Sequence, residues 1–439
     1  MFHHSLITRR TIEPMTAIIV ITLIFLIILG IPIAVCLGLA GIIGIEFFTK
    51  LPLLIATQRM VAGMDSFILV AVPLFILAGN LMTAGGISKR LVGFAISMVG
   101  GIRGGLACSC VITCMIFAAV SGSSVATTYA IGAILIPAMV QHGYPRPTAA
   151  AIQASSSELG VLIPPSIPLI LYGVATDTSI GQLFIAGIGP GLLIGSALII
   201  FLIIYCHLKG IGNESEISDR QKLGPVFLYA LPALFMPVIV LGGIYMGIFT
   251  PTEASAVAVF SALIIGKFVY KELTLKVFLS ALRSSTVSTS VVMLIISAAS
   301  VLSFFFTRIG LSREVSEWAT VAFDNKVSFL ITVNIFLFLL GTIIDPGPAI
   351  LVLAPVLAPI AVSFGVDPVH FGLIMVLNLA LGMITPPIGV NLFAACQVGN
   401  VSLERMVPAL LPFFVVIIFC LMLVTFLPII SIGLRDLLY

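Results

Sequence analysis

From residue 15 to residue 430 the chain is a near-continuous succession of apolar runs, most of them about as long as a bilayer crossing. No water-soluble fold can bury so many runs in one core and still keep a polar shell. Of its 439 residues 60% are hydrophobic and 8% are charged, against roughly 25% charged in soluble domains. The mean hydropathy is +1.28. A soluble globular enzyme, a disordered chain and a nucleic-acid binder are thereby excluded, since the net charge of +3 comes with no basic block. Backbone groups in lipid must be satisfied within the segment, so the fold expected is an all-α polytopic membrane protein.

Two pairs of runs are separated by breaks too short for an aqueous loop. Ser121-Gly-Ser-Ser124 divides 106–120 from 125–139, and a segment with Asp345-Pro-Gly-Pro348 divides 327–343 from 349–362. Both breaks are small and turn-forming. Each pair is expected to be a re-entrant hairpin, 106–139 and 327–362. Two further runs, 147–172 and 369–395, are interrupted by Pro164-Pro165 and Pro386-Pro387. Each is expected to be a helix broken near mid-membrane, with carbonyl oxygens set free there.

These features recur. At an offset of 222 residues Pro137 matches Pro359, Gly143 matches Gly365, and Leu159, Gly160, Pro164 and Pro165 match Leu381, Gly382, Pro386 and Pro387. Thr83, Gly86 and Ser88 match Thr307, Gly310 and Ser312 at 224. The expected organisation is a polar segment 1–14, with Met15 as a possible true start, a repeat 15–207, a cytoplasmic linker 208–224 and a repeat 225–432. If 15–30 and 32–48 are separate helices, each repeat has an odd number of crossings and the two are inverted. One helix kinked at Pro32 would change that parity. With Lys89, Arg90 and Arg103 inside, 12 of the 20 basic residues are cytoplasmic, which favours this orientation. Hairpin 106–139 then enters from the cytoplasm and hairpin 327–362 from outside.

Short Gly/Pro-interrupted segments at corresponding places in two halves point to a transporter's binding site. Hydroxyls and backbone carbonyls suit an alkali cation. Ser121, Gly122, Ser124, Gly160, Ile163 and Pro164 form one candidate sodium site; Thr342, Asp345, Gly382, Thr385 and Pro386 form the other. Ser123, Glu158, Ser166, Asn378 and Asn391 are candidate substrate ligands. The competing reading of the lone hydroxyls and amides is helix–helix contact. Glu253, in Thr250-Pro-Thr-Glu253, reads as a capping box, and Cys110 and Cys114 as small buried residues. Enzyme signatures are missing: no HExxH and no GxxxxGK[ST] occurs, and Ser121-Gly122 follows Ala-Val. Transport is therefore expected to be driven by an ion gradient or to be passive, and no cofactor is expected.

The runs Gly63-Met-Asp-Ser-Phe67, Ser121-Gly-Ser123, Ile163-Pro-Pro-Ser-Ile167, Gly247-Ile-Phe-Thr-Pro-Thr-Glu-Ala254 and Ile384-Thr-Pro-Pro-Ile-Gly389 resemble the large membrane subunit of TRAP transporters, the DctM-like permeases. The resemblance implies the transport subunit of a sodium-coupled symporter in the bacterial inner membrane. It implies as partners a small four-helix membrane subunit, a periplasmic substrate-binding protein and an organic-acid substrate. It also implies an elevator architecture, with sodium sites where hairpin tips face broken helices. The alternative is a stand-alone carboxylate carrier needing no binding protein. Two positions depart from the pattern: Thr127 stands where relatives often carry an acid, and Glu158 where they usually carry a small or hydroxyl residue.

Overall fold

A computed structural model describes the backbone of residues 2–212 and 223–438, and side chains from Pro14 onward within those limits. Every regular element among the described residues is helical. Among the described residues, nine helical spans are long and apolar enough to cross a membrane.

The chain opens with α1 (Phe2–Ile28) and α2 (Ile33–Phe48), separated at Leu29–Pro32 and packed on one another. Residues 15–48 are therefore two helices, broken where Gly30 takes a positive φ ahead of Pro32. The segment 1–14, expected as a polar leader, continues α1 as helix from Phe2; its side chains before Pro14 lie outside the described residues. Next come α3 (Leu54–Met64), a 3₁₀ turn at Phe67–Val70, α4 (Ala71–Ala84) and α5 (Ile87–Val99). The first hairpin is α6 (Gly105–Ser121) and α7 (Ser124–Gln141), and the first broken helix is α8 (Arg146–Ser157), α9 (Leu159–Leu162) and α10 (Ile167–Thr176). Then α11 (Ile180–Lys209) leads to the expected linker, of which residues 213–222 lie outside the described residues.

The second half holds α12 (Leu223–Tyr245), α13 (Pro251–Ile264) with a π turn to Val269, α14 (Leu275–Ile309) and α15 (Leu311–Ala322). The second hairpin is α16 (Lys326–Gly341) and α17 (Pro346–Ser363). The second broken helix is α18 (Pro368–Met383) and α19 (Val390–Gly399), followed by α20 (Leu403–Phe426) and α21 (Ile429–Leu438). Both ends of α7 and α17 differ by 222 residues, as do the starts of α8 and α18. Helices α8, α10, α13, α17 and α18 carry Pro in the first turn, where its missing N–H is not needed. At Thr250 the capping box is present, with the Thr250 N–H donating to the Glu253 carboxylate at 2.8 Å and the Glu253 N–H to the Thr250 hydroxyl at 3.3 Å.

Several elements differ from the expectation. Residues 87–99 form α5 although they carry Lys89 and Arg90: Ile87, Ser88, Leu91, Val92 and Ala95 make one buried helical face while the charges leave it. The same reason applies to α15, which buries Leu311 and Ala319. Helix α14 begins at Leu275, although its first turns carry Lys276, Arg283, Ser284 and Ser285 and are not apolar in sequence.

Packing interleaves the halves. Helix α19 lies on α7 and α8, α10 lies on α17 and α18, and α20 lies on α8. Outside this body, α2, α3 and α4 pack on α14, and α13 packs on α4. On α20, Leu411, Val415 and Phe419 are exposed at a four-residue spacing, an apolar stripe suited to lipid.

Candidate functional site

Each hairpin tip is pinned to the stretch after a proline pair. In the first, Gly122 reverses the chain in the left-handed region (φ 65°), and its carbonyl accepts from the Ile167 N–H at 3.3 Å. In the second, the Thr342 carbonyl accepts from the Ile388 and Gly389 N–H groups at 3.1 and 3.4 Å. Both Pro-Pro bonds are cis. The helical segments before the breaks touch the hairpins through glycine. A Cβ at Gly160 would press on the Ser123 carbonyl and Thr127, and one at Gly382 would meet the Gly341 backbone.

The first tip is internally bonded. Ser123 caps α7 by accepting from the Ala126 N–H at 3.3 Å. The Thr127 hydroxyl donates to the Ser123 carbonyl at 2.8 Å and lies 3.2 Å from the Ser121 hydroxyl. Ser124 reaches across to the Met383 sulfur at 3.6 Å. At the second tip Asp345 caps α17, accepting from the Gly347 N–H at 3.1 Å. Thr342 and Thr385 donate their hydroxyls to the carbonyls of Leu339 and Leu381, at 2.7 and 2.8 Å.

The two tips meet at a cavity of about 840 Å³, which Ser121, Gly122, Ser123, Ser124 and Asp345 line together. Its opposite wall is α4 and α14, including Asn80, Ser284 and Ser288. Asn80 donates to the Ser285 hydroxyl at 2.8 Å and ties those two helices. Of the remaining candidates, Gly160 and Gly382 abut the hairpins, Thr342 holds the stretch after the second proline pair, and Thr385 and Pro386 stand at that break. Ile163 and Pro164 pack toward Gly191 and Gly187 of α11.

Glu158 and Asn391 are brought together behind the first tip. The Asn391 amide donates to the Glu158 carboxylate at 2.6 Å and to the Ser157 hydroxyl at 2.8 Å, and its carbonyl accepts from Thr128 at 2.6 Å. Thr128 also reaches Ser157 at 2.7 Å. The second carboxylate oxygen of Glu158 is buried with no hydrogen-bond partner among the described residues. Two candidates stand apart. Ser166 caps α10 and donates to the Val161 carbonyl. Asn378 bonds Asn334 at 2.8 Å between α18 and α16, away from the cavity.

Asn80, Ser284, Ser288, Thr128 and Ser157 were not among the sequence candidates. Asn80 carries the signal that found Asn378, a polar side chain inside an apolar run. The hydroxyls carry none, because Ser and Thr serve equally as helix contacts.

The family model described as Tripartite ATP-independent periplasmic transporter, DctM component, matches residues 20–430. The chain belongs to this family. It is 41% identical over 95% of its length to the isethionate TRAP transporter permease protein DctMQ of Oleidesulfovibrio alaskensis, spanning 66% of that protein. It is 40% identical over 91% of its length to the C4-dicarboxylate TRAP transporter large permease protein DctM of Pseudomonas aeruginosa, spanning 93% of it. Against the sialic acid TRAP transporter large permease protein SiaM of Vibrio cholerae the identity is 38%, over 85% of this chain and 87% of that one. In fold it is similar to the Alcanivorax borkumensis YdaH transporter, with a TM-score of 0.63 at 15% identity over 86% of this chain and 88% of that one. The DctM-family chain is thus a multi-pass TRAP large permease rather than an enzyme.

Proposed function

We propose that the chain is the transport subunit of a sodium-coupled, binding-protein-dependent symporter that imports an organic acid across the bacterial inner membrane. The observation that carries this reading is the shared cavity, where Ser121–Ser124 and Asp345 converge from two hairpin tips. At the two tips, hydroxyls, carbonyls and one carboxylate offer oxygen ligands suited to a hard cation. The relatives' names add the cargo class, since isethionate, C4-dicarboxylates, 2,3-diketo-L-gulonate and sialic acid are all organic acids. Sodium beside the tips would offset the acid's charge in a site otherwise costly for an anion.

In this proposal 15–207 and 225–432 are inverted repeats, supported by helix bounds that recur at 222 residues. The hairpins and broken helices move as one body against α2–α4 and α12–α14, with the cavity on the dividing surface. A small membrane subunit would cover part of the apolar outer surface, and a periplasmic binding protein would deliver the substrate.

Uptake by proteoliposomes holding this chain, its small subunit and the binding protein tests the coupling. We expect accumulation only with an inward sodium gradient. Sodium-independent accumulation would overturn it, and uptake without the binding protein would favour a stand-alone carrier. Ser124→Ala and Thr385→Ala should each raise the sodium requirement several-fold while expression is kept, read as the sodium dependence of initial uptake rates; lost expression would assign both hydroxyls to packing.

A further inference from the structure

A second cavity, of about 540 Å³, lies between α3, the last turns of α14, and α10 and α17. Volumes in this range hold small organic ligands. Its chemistry differs from the first. Arg59 lines it, with the guanidinium 4.2 Å above the Phe304 ring. Contact with an aromatic face places the guanidinium without using its N–H donors, which remain for an acid. Among the described residues no carboxylate pairs with Arg59, and Asp65, the nearest acid in sequence, does not line the cavity.

Four hydroxyls share that space. Ser300 and Thr307 already donate to carbonyls of their own helix, at 2.7 and 2.9 Å. Ser66 and Ser303 have no side-chain hydrogen bond among the described residues. A cation without a counter-charge thus stands beside free hydroxyl donors in a space sized for a small molecule. Ile296 and Leu351 line both cavities, so this space adjoins the one at the hairpin tips.

We propose that this second cavity is an anion-binding station, where Arg59 holds a small carboxylate or sulfonate with help from Ser66 and Ser303. A bidentate guanidinium–carboxylate pair gives such a site its strength and its orientation. The station deepens the transport reading, because the acid bound there adjoins the tip cavity. A free acid and an anionic lipid headgroup would bring the same charge.

Thiol labelling at Ser303→Cys tests this without transport, in purified full-length chain reconstituted in phosphatidylcholine vesicles. All seven native cysteines are buried, so the unsubstituted chain gives the background. An anionic and a cationic methanethiosulfonate are compared, each normalised to its rate with a free thiol. We expect the anionic reagent to be favoured, Arg59→Gln to cut that preference about tenfold, and millimolar acetate, succinate or isethionate to slow the labelling. Arg59→Lys should keep the preference and lose most of the protection. An unchanged preference in Arg59→Gln would overturn the station, as would a preference with no protection by any of the three acids. Protection seen only with phosphatidylglycerol in the vesicles would assign the site to lipid and overturn the free-acid station. Should Ser303→Cys fail to fold, Ser66→Cys reports the same space. Sodium plays no part in this assay, so its outcome and that of the symport test are independent.

Discussion

At the residue scale, the decisive side chains are those that the sequence leaves without an obvious partner. Glu158 is a carboxyl group in an apolar run, and its donor, Asn391, lies 233 positions away. Removing that donor strands a buried acceptor, which costs about 1–3 kcal/mol. Asn391→Ala should therefore lower the thermal midpoint of the detergent-purified protein. Glu158→Gln added to Asn391→Ala should recover part of the loss, because the stranded side chain then carries its own donor. Strict additivity of the two changes would show that the residues do not act together. Pairing of this kind could not be read along the chain. Asn378 shows the converse. An amide in an apolar run reads the same whether it faces a cavity or a neighbouring helix, and only its bond to Asn334 separates the two.

At the element scale, the hairpins and broken helices depend on contacts too close for any side chain. Gly160→Ala and Gly382→Ala should each destabilise by about 1–3 kcal/mol, since backbone on the far side cannot give way. Gly93→Ala, where nothing lies within 4 Å of the added carbon, should be neutral or slightly stabilising; thermal melts of the three variants decide. These tips and breaks were legible because Pro-Pro and Ser-Gly-Ser interrupt an otherwise apolar background. Helices α5 and α15 were not, because a half-buried helix with charges on its outer face shows no continuous run.

The C-terminal helix adds a pH dependence. Burial alone would raise the Asp367 carboxyl, but hydrogen bonds from Arg435 and from the His370 and Val369 N–H groups, with the Arg435 charge, outweigh it and hold the group below its usual range. A depressed carboxyl stabilises the fold above its unfolded value, roughly pH 4, and that contribution is lost as the pH falls through the folded value. Docking of α21 should therefore loosen in acid, seen as faster amide exchange over 429–438. Arg435→Gln should show the faster exchange already at neutral pH.

At the scale of the whole molecule, two cavities of opposite character share one apolar pair in their linings. A thiol cross-linker joining Ile296→Cys to Leu351→Cys should arrest uptake in proteoliposomes, and a cleavable linker should restore it on reduction. Continued uptake in the cross-linked protein would place the barrier elsewhere. That the chain is helical and crosses a membrane many times could be anticipated from hydropathy. The position of this shared pair could not, since Ile and Leu are the commonest letters of the chain's apolar background.

The interleaving of the halves has one more consequence. Asn391 finishes the first half's polar cluster, Met383 meets Ser124, and the Tyr172 hydroxyl donates to the Pro368 carbonyl at 2.8 Å. Neither portion is self-sufficient: produced alone, each would present raw mating surface to chaperones and proteases. Co-produced as separate polypeptides severed between Gly212 and Leu223, they should seek each other out and rebuild a working carrier, as cleft timber joints lock again without glue.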